Sequence, residues 1–595
     1  MSETQQFKNL VDMANRSVAR FADRKRFATK IDGEWSWITY RQLGDQIDAF
    51  RGGLAQLGVG KGDAVAVISN NCVAWAVGAY ATYGREARYV PMYEKQNAED
   101  WQFILADSGA KLVLVANAGI ADKVREFSGD IGTLERIIVL DGDGEDSFSA
   151  VMALGQDNPV QPGDPDPSDL AGLIYTSGTT GKPKGVQLSH GNFISNVNAV
   201  QALFPMRDDE VSLSFLPWAH SFGQTCELHL LFSFGAASAL NSDVTVLVQE
   251  LGEVQPTVLY SVPRVFNKVY DAIHKKVAAD GGVKEKLFHA AIANAKKKNA
   301  LAVDGQSSLG VDLKHAVLDK VVLSKVRARL GGRLEFAFSG GAAISTEVMN
   351  FLDAVGIVVF EGYGLSETSP IACMNYPDHR RVGSVGKAIP GVEIFIDTDA
   401  VNQTMGEQGE ILIKGPNVMQ GYHGLADKTA EVMRDDGAFR TGDLGRMDGD
   451  GFVFITGRIK EQYKLENGKY VVPGPLEDQL QLSGFIAQAF VYGDNRLFNV
   501  ALVVPDFEAL KGWCADNGVS GTPDELCRMD PVRDLIEIEL GKQCQSVFKG
   551  FERIKRFALI EEEFSVDNDL LTPKMSVKRL NVIARYGDLL HGLYD

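Results

Sequence analysis

Apolar positions in roughly the first 165 residues switch between two spacings, and this switch predicts strands that alternate with helices. From Thr39 to Leu57 apolar residues recur every three or four positions, which predicts an amphipathic helix ending at the next glycine. Apolar runs at Ala64–Ile68, Tyr89–Met92 and Leu112–Ala116 predict short buried strands, and Trp75–Tyr83 predicts a helix between the first two. Such alternation favours a parallel sheet with both faces covered.

The pattern continues after a turn-rich connector at Asn158–Ser168. Val186–Ser189 predicts extended structure, and Asn192 is expected to be the N-cap of a helix that follows it. Strands and helices then alternate to about Phe360. Within this block Val283–Asn299 predicts a basic amphipathic helix, whose lysines are read as a solvated helix end, with contact to a membrane or to an anionic ligand as the alternative.

The pattern of apolar residues changes in the last third of the chain. Val392–Gly457 contains short alternating runs and turns, which predict a small β-rich subdomain. Beyond Lys460 the sequence predicts a charged, compact α/β segment that extends to the C-terminus.

Composition and charge narrow the class of protein. At 595 residues, two or more domains are expected. A formal net charge of −18 argues against a nucleic-acid partner, because no basic surplus exists to neutralise phosphates. The six cysteines are scattered and lack zinc spacing, which favours a reducing compartment. The N-terminus is polar and no long apolar run is present, which favours a cytoplasmic location. Peripheral contact with a membrane and the oligomeric state stay open.

A stretch rich in glycines and hydroxyls, Tyr175–Val186, has the chemistry of a polyphosphate-binding loop. Glycines let backbone N–H groups turn toward an anion, hydroxyls add donors, and lysines add charge. The spacing is not that of a kinase-type P-loop, because Gly178 and Gly181 are too close together. Pro183 and Lys184 also stand where a P-loop has the serine or threonine that opens a helix. On composition alone, a plain surface loop is the alternative.

A second glycine-rich loop, Glu361–Thr368, follows the apolar strand Ile357–Phe360. A loop at the carboxyl end of a strand in an open α/β sheet faces the ligand crevice. Tyr363 lies between two glycines, so its ring can lie against a nucleotide base. Glu367 offers the hard oxygen ligand that Mg²⁺ prefers. A glycine turn with a core tyrosine is the alternative.

Together these segments resemble the adenylate-forming superfamily, which includes acyl-CoA synthetases, firefly-type luciferases and peptide-synthetase adenylation domains. All positions of Tyr175–Val186 match its phosphate loop, and Glu361–Thr368 matches its adenine loop at nearly every position. Ser339–Ala342 matches the strand end beside adenine. Arg440–Asp443, in isolation a common β-turn sequence, matches the ribose-binding segment. The motifs occur in the family's order and span Phe27 to Arg579.

The resemblance implies the fold, the domains and the nucleotide site. The implied fold is α/β, with a large N-terminal domain of βα-layered subdomains plus a small β-rich subdomain, followed by a smaller mobile α+β C-terminal domain. Lys460 matches the hinge, which predicts an AMP-binding adenylation domain over 1–459 and a lid domain over 460–595. The residues implied to bind the nucleotide are Thr176, Ser177, Gly178, Thr179, Thr180, Gly181, Gly340, Gly341, Ala342, Glu361, Gly362, Tyr363, Gly364, Ser366, Thr368, Asp443 and Arg458.

The implied reaction needs ATP and Mg²⁺ but no strong general base. A carboxylic acid, with a pKa near ~4, is ionised at neutral pH and can attack the α-phosphorus of ATP directly. Catalysis is then mainly positioning and charge neutralisation. Lys184 is implied to bind the β- and γ-phosphates, and Glu367 and Thr180 to bind Mg²⁺. Lys578 is implied to be the C-terminal catalytic lysine, and Lys574 is the open alternative.

Four stretches resemble the long-chain acyl-CoA synthetases of the superfamily in particular: Ser261–Tyr270, Lys325–Gly341, Gly364–Pro370 and Glu461–Lys469. Coenzyme A is therefore the implied co-substrate of a second half-reaction. Lys464 and Lys469 are expected to bind its phosphates.

The acyl site is implied by Leu216–Phe222, a segment in which His220 borders the acyl group in relatives. Gly223 stands where long-chain members often have glutamate, and Gln224 stands where one bacterial group has a gating tryptophan. Trp218 is either pocket wall or core.

These resemblances predict a long-chain fatty acid–CoA ligase that releases AMP and pyrophosphate. Within the same fold, the alternatives are a fatty acyl-AMP ligase and a CoA ligase for a medium-chain, branched or aryl acid. From other classes, a P-loop GTPase or kinase is disfavoured by the loop spacing. A non-catalytic lipid-binding module would show no acid-dependent pyrophosphate exchange.

Overall fold

The computed structural model describes residues 6–176, 182–303, 305–400, 407–545, 547–572 and 576–595, in two compact units. The first unit comprises Met1–Phe395, Leu412–Arg440 and Gly449–Val453. The second comprises Ile396–Ile411, Thr441–Asp448 and Phe454–Asp595. The predicted domain boundary at residues 459 and 460 stays a prediction.

Strands and helices alternate along most of the described chain. The strands are β1 (Lys25–Ile31), β2 (Glu34–Thr39), β3 (Ala64–Ile68), β4 (Arg88–Met92), β5 (Ala110–Val115), β6 (Arg136–Val139), β7 (Leu170–Thr176), β8 (Lys184–Ser189), β9 (Val211–Ser214), β10 (Ala237–Leu240), β11 (Val258–Ser261), β12 (Phe336–Ser339), β13 (Val358–Gly364), β14 (Ile371–Met374), β15 (Lys387–Ala388), β16 (Glu393–Asp397), β17 (Gly409–Lys414), β18 (Gly421–Tyr422), β19 (Phe439–Met447), β20 (Val453–Arg458), β21 (Tyr463–Lys464), β22 (Tyr470–Val471), β23 (Ile486–Tyr492), β24 (Asn499–Pro505) and β25 (Ile554–Leu559). The α-helices are α1 (Leu10–Phe21), α2 (Tyr40–Gln56), α3 (Val73–Gly84), α4 (Ala98–Asp107), α5 (Ala118–Ser128), α6 (Phe148–Asp157), α7 (His190–Leu203), α8 (Leu231–Phe234), α9 (Leu247–Val254), α10 (Pro263–Asp280), α11 (Gly282–Val303), α12 (Leu309–Leu318), α13 (Ser324–Ala328), α14 (Thr346–Val355), α15 (Ala426–Val432), α16 (Pro473–Leu480), α17 (Phe507–Asn517), α18 (Pro523–Cys527), α19 (Asp530–Cys544) and α20 (Arg579–Gly592). Two π-helical segments, Gly223–Leu230 and Asp319–Leu323, adjoin α8 and α12.

A seven-stranded sheet in the order β18-β8-β7-β4-β3-β5-β6 lies in the first unit. Its strands β4, β3, β5 and β6 are parallel, as the alternation with helices predicts, whereas β8 is antiparallel to both β7 and β18. All residues of β3 are buried, which is typical of a strand whose two sheet faces are both covered. The predicted α/β class is confirmed.

Local side-chain hydrogen bonds fix where the helices begin. The predicted helix after Thr39 is confirmed as α2, because the Thr39 hydroxyl accepts from the backbone of Gln42 in a capping box. The prediction that Asn192 is the next N-cap is wrong. Ser189 is the N-cap of α7, and the Asn192 side chain accepts from the Ser189 N–H at 2.8 Å. Asn192 therefore completes the capping box from inside the helix.

A second sheet of the first unit, in the order β11-β12-β13-β14-β15, places two of the predicted site segments side by side. β11, β12 and β13 are parallel, so their carboxyl ends meet at one edge. Ser339 lies opposite Glu361 in the register of β12 and β13. A third sheet has the order β2-β1-β10-β9.

The second unit is built around a sheet in the order β23-β24-β25. One face packs against α16 and α19 through Leu476, Leu480, Ile536 and Leu540. The other face packs against α20 through Val582 and Leu590. A further sheet has the order β16-β17-β19-β20.

None of the described helices combines the length and the hydropathy that crossing a bilayer requires.

Candidate active site

The β7–β8 hairpin presents the predicted phosphate loop. Thr176 and Lys184 lie opposite each other as the last register pair before the loop, and Tyr175 lies opposite Gly185. The Tyr175 hydroxyl donates to a carboxylate oxygen of Asp107 at 2.6 Å, which fixes the hairpin next to its loop. Thr176 is buried and Lys184 is half-buried. The hairpin therefore brings these two predicted phosphate ligands to one place.

The predicted ligands Ser177, Gly178, Thr179, Thr180 and Gly181 lie outside the described residues.

Tyr422 contacts both Lys184 and Glu367. The Lys184 ammonium lies 4.9 Å from the centre of the Tyr422 ring. The Tyr422 hydroxyl donates to Glu367 Oε1 at 2.9 Å. Burial and the neighbouring Glu367 charge both raise the pKa of Tyr422, so its hydroxyl remains a donor at neutral pH.

Strand β18 holds Tyr422 in this position. Tyr422 lies opposite Val186 in the antiparallel pairing of β18 with β8, and its N–H donates to Thr429 Oγ1 at 2.9 Å. Three residues earlier, the Met419 N–H donates to the backbone oxygen of Glu367 at 2.8 Å. The same segment therefore fixes both the backbone of Glu367 and the donor to its carboxylate.

The predicted adenine segments meet at the carboxyl edge of β12 and β13. Gly340 is buried, and a Cβ atom there would meet the Phe222 ring at 3.2 Å. Gly341 has φ +83°, a backbone conformation that favours glycine, and it is exposed together with Ala342. A turn with so little side-chain bulk leaves its backbone accessible to a flat ligand.

Glu361 ties this turn to β13. Its side chain is buried, and its Oε1 accepts from the Ile344 N–H at 3.2 Å. Burial raises the pKa of Glu361 to about 7, although the Ile344 hydrogen bond and the Arg380 charge act in the opposite direction. The predicted nucleotide-binding role of Glu361 thus falls on a carboxyl group that bonds to the chain's own backbone.

The loop that carries Glu367 is packed tightly. A Cβ atom on Gly364 would lie 1.7 Å from the Pro370 carbonyl oxygen, so only glycine fits there. Thr368 is buried and its hydroxyl donates to that same oxygen at 2.5 Å. Ser366 is buried with its hydroxyl 3.2 Å from that of Ser221. Ser366 and Thr368 therefore stabilise the loop from within.

Gly362 and Tyr363 begin the same loop and are both half-buried. Tyr363 lies opposite Cys373 in the antiparallel pairing of β13 with β14. This pairing fixes the backbone beneath the ring that is predicted to contact adenine.

The predicted acyl segment precedes the π-helical segment Gly223–Leu230. His220 is half-buried, and its Nδ1 accepts from the Phe222 N–H at 3.1 Å. A Cβ atom on Gly223 would lie 2.5 Å from the Pro217 carbonyl oxygen, which explains why no glutamate stands at this position. Gln224 is buried and donates to the Tyr83 hydroxyl at 3.0 Å.

Trp218 is core in this structure. It is fully buried, and its ring lies 5.5 Å from those of Phe27 and Trp75.

In the second unit, Asp443 and Arg458 form an ion pair of 2.9 Å. Asp443 is buried within strand β19 rather than in a free turn, and its N–H donates to Thr441 Oγ1 at 3.0 Å. Gly442 has φ +70°, and its N–H donates to Glu410 at 3.0 Å. The strand thus positions the predicted ribose carboxylate next to the predicted arginine.

The remaining predicted lysines also lie in the second unit. Lys578 is the N-cap residue of α20, and its ammonium contacts the Asp569 carboxylate. The exposed Lys464 and Lys469 flank the turn between β21 and β22, with their ammonium groups 5.7 Å from the Tyr470 ring and 4.6 Å from the Phe551 ring. Lys574 lies outside the described residues.

Comparisons with known proteins place these features in a family. The AMP-binding enzyme family matches residues 15–423, and the AMP-binding enzyme C-terminal domain matches residues 460–595. The long-chain-fatty-acid–CoA ligase FadD15 of Mycobacterium bovis is 36% identical over 577 residues, which cover 95% of this chain and 93% of that protein. The human long-chain-fatty-acid–CoA ligase 1 is 32% identical over 595 residues, covering 95% of this chain and 83% of that protein.

A solved structure supports the fold. The crystal structure of the adenylation domain of a carboxylate reductase from Mycobacterium chelonae has a TM-score of 0.81 and 22% identity, covering 98% of this chain and 91% of that chain. An α/β chain with this loop arrangement is of the adenylate-forming class. The chain belongs to the AMP-binding enzyme family.

Tyr422 is the site residue that sequence reasoning missed. It follows the alternating strand β17 as one aromatic residue among turns, without a motif around it. Its only signal would have been the pairing of β18 with β8, which joins segments more than two hundred positions apart in the sequence.

Proposed function

We propose that this chain is an ATP-dependent long-chain fatty acid–CoA ligase that forms acyl-CoA, AMP and pyrophosphate. The observation that carries the proposal is the Lys184–Tyr422–Glu367 arrangement next to the loop end of the β7–β8 hairpin. It presents a cation for phosphates and a carboxylate for a metal ion within one short chain of contacts. Membership of the family and the long-chain ligases among its relatives support the same reaction.

The reaction proceeds in two half-reactions. A carboxylate oxygen of the fatty acid forms a bond to the α-phosphorus of ATP, and the bond to pyrophosphate breaks. The sulfur of CoA, after losing its proton, then forms a bond to the acyl carbon, and AMP leaves. Lys184 neutralises charge on the leaving pyrophosphate, so its contribution belongs to the first half-reaction.

Mg²⁺ fits the residues present. Among the described residues no group of three or more His, Cys, Asp or Glu side chains could hold a metal ion alone. Mg²⁺ commonly keeps several waters and binds through one or two carboxylates plus substrate phosphates, and Glu367 supplies such a carboxylate. We assign Glu367, together with the predicted ligand Thr180, to this ion, which would neutralise charge on the triphosphate.

The roles that we assign to residues of the second unit rest on the sequence motifs. Asp443 can accept hydrogen bonds from two ribose hydroxyls through its two oxygens, and Arg458 lies beside it in an ion pair of 2.9 Å. Lys578 is assigned to charge around the α-phosphate. Lys464 and Lys469, which are exposed, are assigned to the phosphates of CoA.

An assay of AMP release across a panel of fatty acids, run with and without CoA, tests the proposal. Long-chain acids should release AMP, and thioester should form only when CoA is present. Accumulation of acyl-adenylate with no thioester even in the presence of CoA would instead identify a fatty acyl-AMP ligase. Preference for a medium-chain, branched or aryl acid would correct the substrate, and inactivity with every acid would overturn the function.

Lys184→Ala provides the control at the site. It should abolish acid-dependent pyrophosphate exchange while leaving thioester formation from preformed acyl-adenylate largely intact. Lys182→Ala is the matched variant, because Lys182 is exposed and its ammonium lies over the Phe103 ring instead. Equal effects of the two substitutions would remove Lys184 from its assigned role.

We also propose a cytoplasmic location with peripheral contact to a membrane. All six cysteines are free thiols, which suits a reducing compartment. A long-chain fatty acid partitions into bilayers, so contact with a bilayer would bring the enzyme to its substrate. Fractionation of cells at low and high salt tests both the cytoplasmic location and the peripheral contact with a membrane.

A further inference from the structure

Exposed aliphatic side chains form a stripe along helix α12. Leu309, Leu313 and Val317 are 83%, 71% and 63% exposed. Their spacing of four residues places them on one side of the helix, within an arc of about 80° at roughly 100° per residue. Val321, in the π-helical segment that follows, is 46% exposed and extends the line. We call these four residues the aliphatic face.

The opposite side of α12 is anchored, so the aliphatic face is held outward. Val311 and Leu318 are buried, and at roughly 100° per residue they lie about 100° to 180° around the helix from Leu309, Leu313 and Val317. The Val311 carbonyl accepts from the Asn294 side chain at 3.2 Å, and Leu318 packs with Ala291 and Ala295 of α11. Turning the helix to hide its aliphatic face would therefore break a packed core.

The concentration of aliphatic residues is local. Twenty large hydrophobic side chains are exposed among the described residues, and seven of them lie between residues 283 and 321. The three that belong to α11 are Val283, Leu287 and Val303. Single exposed aliphatics are ordinary on a protein surface, whereas a contiguous group marks an interaction site.

The charge around the aliphatic face has the opposite sign to that of the whole chain. Residues 282–329 contain ten lysines and arginines and four acidic residues, in a chain whose net charge is −18. One of the acids, Asp319, is paired with Arg327 at 2.7 Å. The cluster Lys296–Lys298 on α11 adds three of the positive charges. The surroundings therefore complement an anionic partner.

We propose that α11 and α12 dock on an anionic lipid bilayer, with the aliphatic face in the acyl boundary and the lysines among the headgroups. Exposed aliphatic residues on α12, next to the lysine-rich helix α11, have the composition of interfacial membrane helices. No aromatic anchor, the feature most enriched at protein–protein hot spots, lies on the aliphatic face. The proposal takes its biological reason from the proposed function, but its geometry stands independently.

Vesicle flotation of the full-length protein tests this docking. The wild type should float with vesicles of equimolar phosphatidylglycerol and phosphatidylcholine, and much less with phosphatidylcholine alone. Leu313→Ser/Val317→Ser should lower the bound fraction by about tenfold. Val244→Ser/Val248→Ser is the matched control, because these valines are 65% and 61% exposed elsewhere in the first unit, and it should bind like the wild type.

A charge variant separates the two contributions. Lys296→Gln/Lys297→Gln/Lys298→Gln should remove the preference for the anionic vesicles, and high salt should do the same to the wild type. Thermal unfolding by circular dichroism checks that every variant is folded.

Two results would overturn the proposal. One is a wild type that does not float, or a control pair that loses binding as much as the test pair. The other is light scattering that shows a dimer broken by Leu313→Ser/Val317→Ser without vesicle binding, since a second copy would then cover the aliphatic face.

Activity with albumin-bound fatty acid should be equal in the wild type and both serine pairs. Its absence in the wild type would refute the proposed function and leave the flotation result to stand on its own.

Discussion

Replacing Tyr422 with phenylalanine removes one hydrogen bond and keeps the ring beneath Lys184. The lost bond is the 2.9 Å donation to Glu367 Oε1. A hydrogen bond to a charged group contributes about 1.5–3 kcal/mol, and the half-buried position of Glu367 favours the lower end of that range. A loss of about 1.5 kcal/mol in the transition state corresponds to roughly a tenfold lower rate.

The tenfold loss should appear in the first half-reaction alone. Acid-dependent exchange of pyrophosphate into ATP measures that half-reaction, and thioester formation from preformed acyl-adenylate measures the second. The Mg²⁺ concentration needed for half-maximal exchange should rise, because Glu367 loses the donor that orients its carboxylate. A merely structural role for Tyr422 would not shift the Mg²⁺ dependence.

Tyr270→Phe is the matched control. The Tyr270 hydroxyl donates to Glu347 Oε1 at 2.7 Å in the same unit, and neither residue is assigned to the site. Its removal should leave both half-reactions unchanged. If Tyr422→Phe exchanges pyrophosphate like the wild type, or slows both half-reactions equally, the positioning role is refuted. In a double-mutant cycle, Tyr422→Phe should add little to Glu367→Ala, because both changes remove the same hydrogen bond.

Three further predictions concern carboxyl groups and their partners. Burial raises the pKa of Glu361 from 4.5 to about 7, so the folded state holds this proton more tightly than the unfolded state. The bound proton therefore contributes to the free energy of unfolding in full below about pH 4.5, and this contribution is lost as the pH rises through about 7. It amounts to at most about 3 kcal/mol. In urea unfolding at several pH values, the free energy of unfolding of Glu361→Gln should lack this decline. Asp443→Ala should raise the KM for ATP by about tenfold or more, and Arg458→Gln should act in the same direction, whereas unchanged ATP kinetics would exclude a ribose contact. Lys578→Ala should slow pyrophosphate exchange by about a hundredfold, and Asp569→Asn, which frees the Lys578 ammonium, should not; an active Lys578→Ala variant would exclude Lys578.

Local patterns predicted the layered part of the fold because its determinants are local. The helix after Thr39 and the buried strand β3 follow from spacing, capping and apolar runs within a few residues. The wrong N-cap prediction at α7 shows that local sequence places the start of a helix only to within a few residues. Ser189 and Asn192 are both good N-cap residues three positions apart, and only the backbone conformation decides which of them begins the helix.

The candidate site was predictable as far as its motifs extend. The sequence identifies Lys184 and Glu367, but each motif says nothing about what lies beside it in space. Tyr422 joins the two through a strand pairing, and the buried state of Glu361 results from packing by residues outside its own loop. Contacts of this kind depend on tertiary structure, which no local pattern contains.

The position of Tyr422 between Lys184 and Glu367 explains how a cation and a carboxylate can share one site without cancelling each other. Within the described residues, no ion pair joins Lys184 to Glu367. A direct pair would hold both charges in a contact that ATP and Mg²⁺ must first break, at a cost of order 1 kcal/mol even near solvent. The aromatic ring instead attracts the ammonium through its face, while the hydroxyl orients the carboxylate through a single oxygen. In the proposed roles, Lys184 thus keeps its N–H donors for phosphate, and Glu367 keeps its second oxygen for a metal ion.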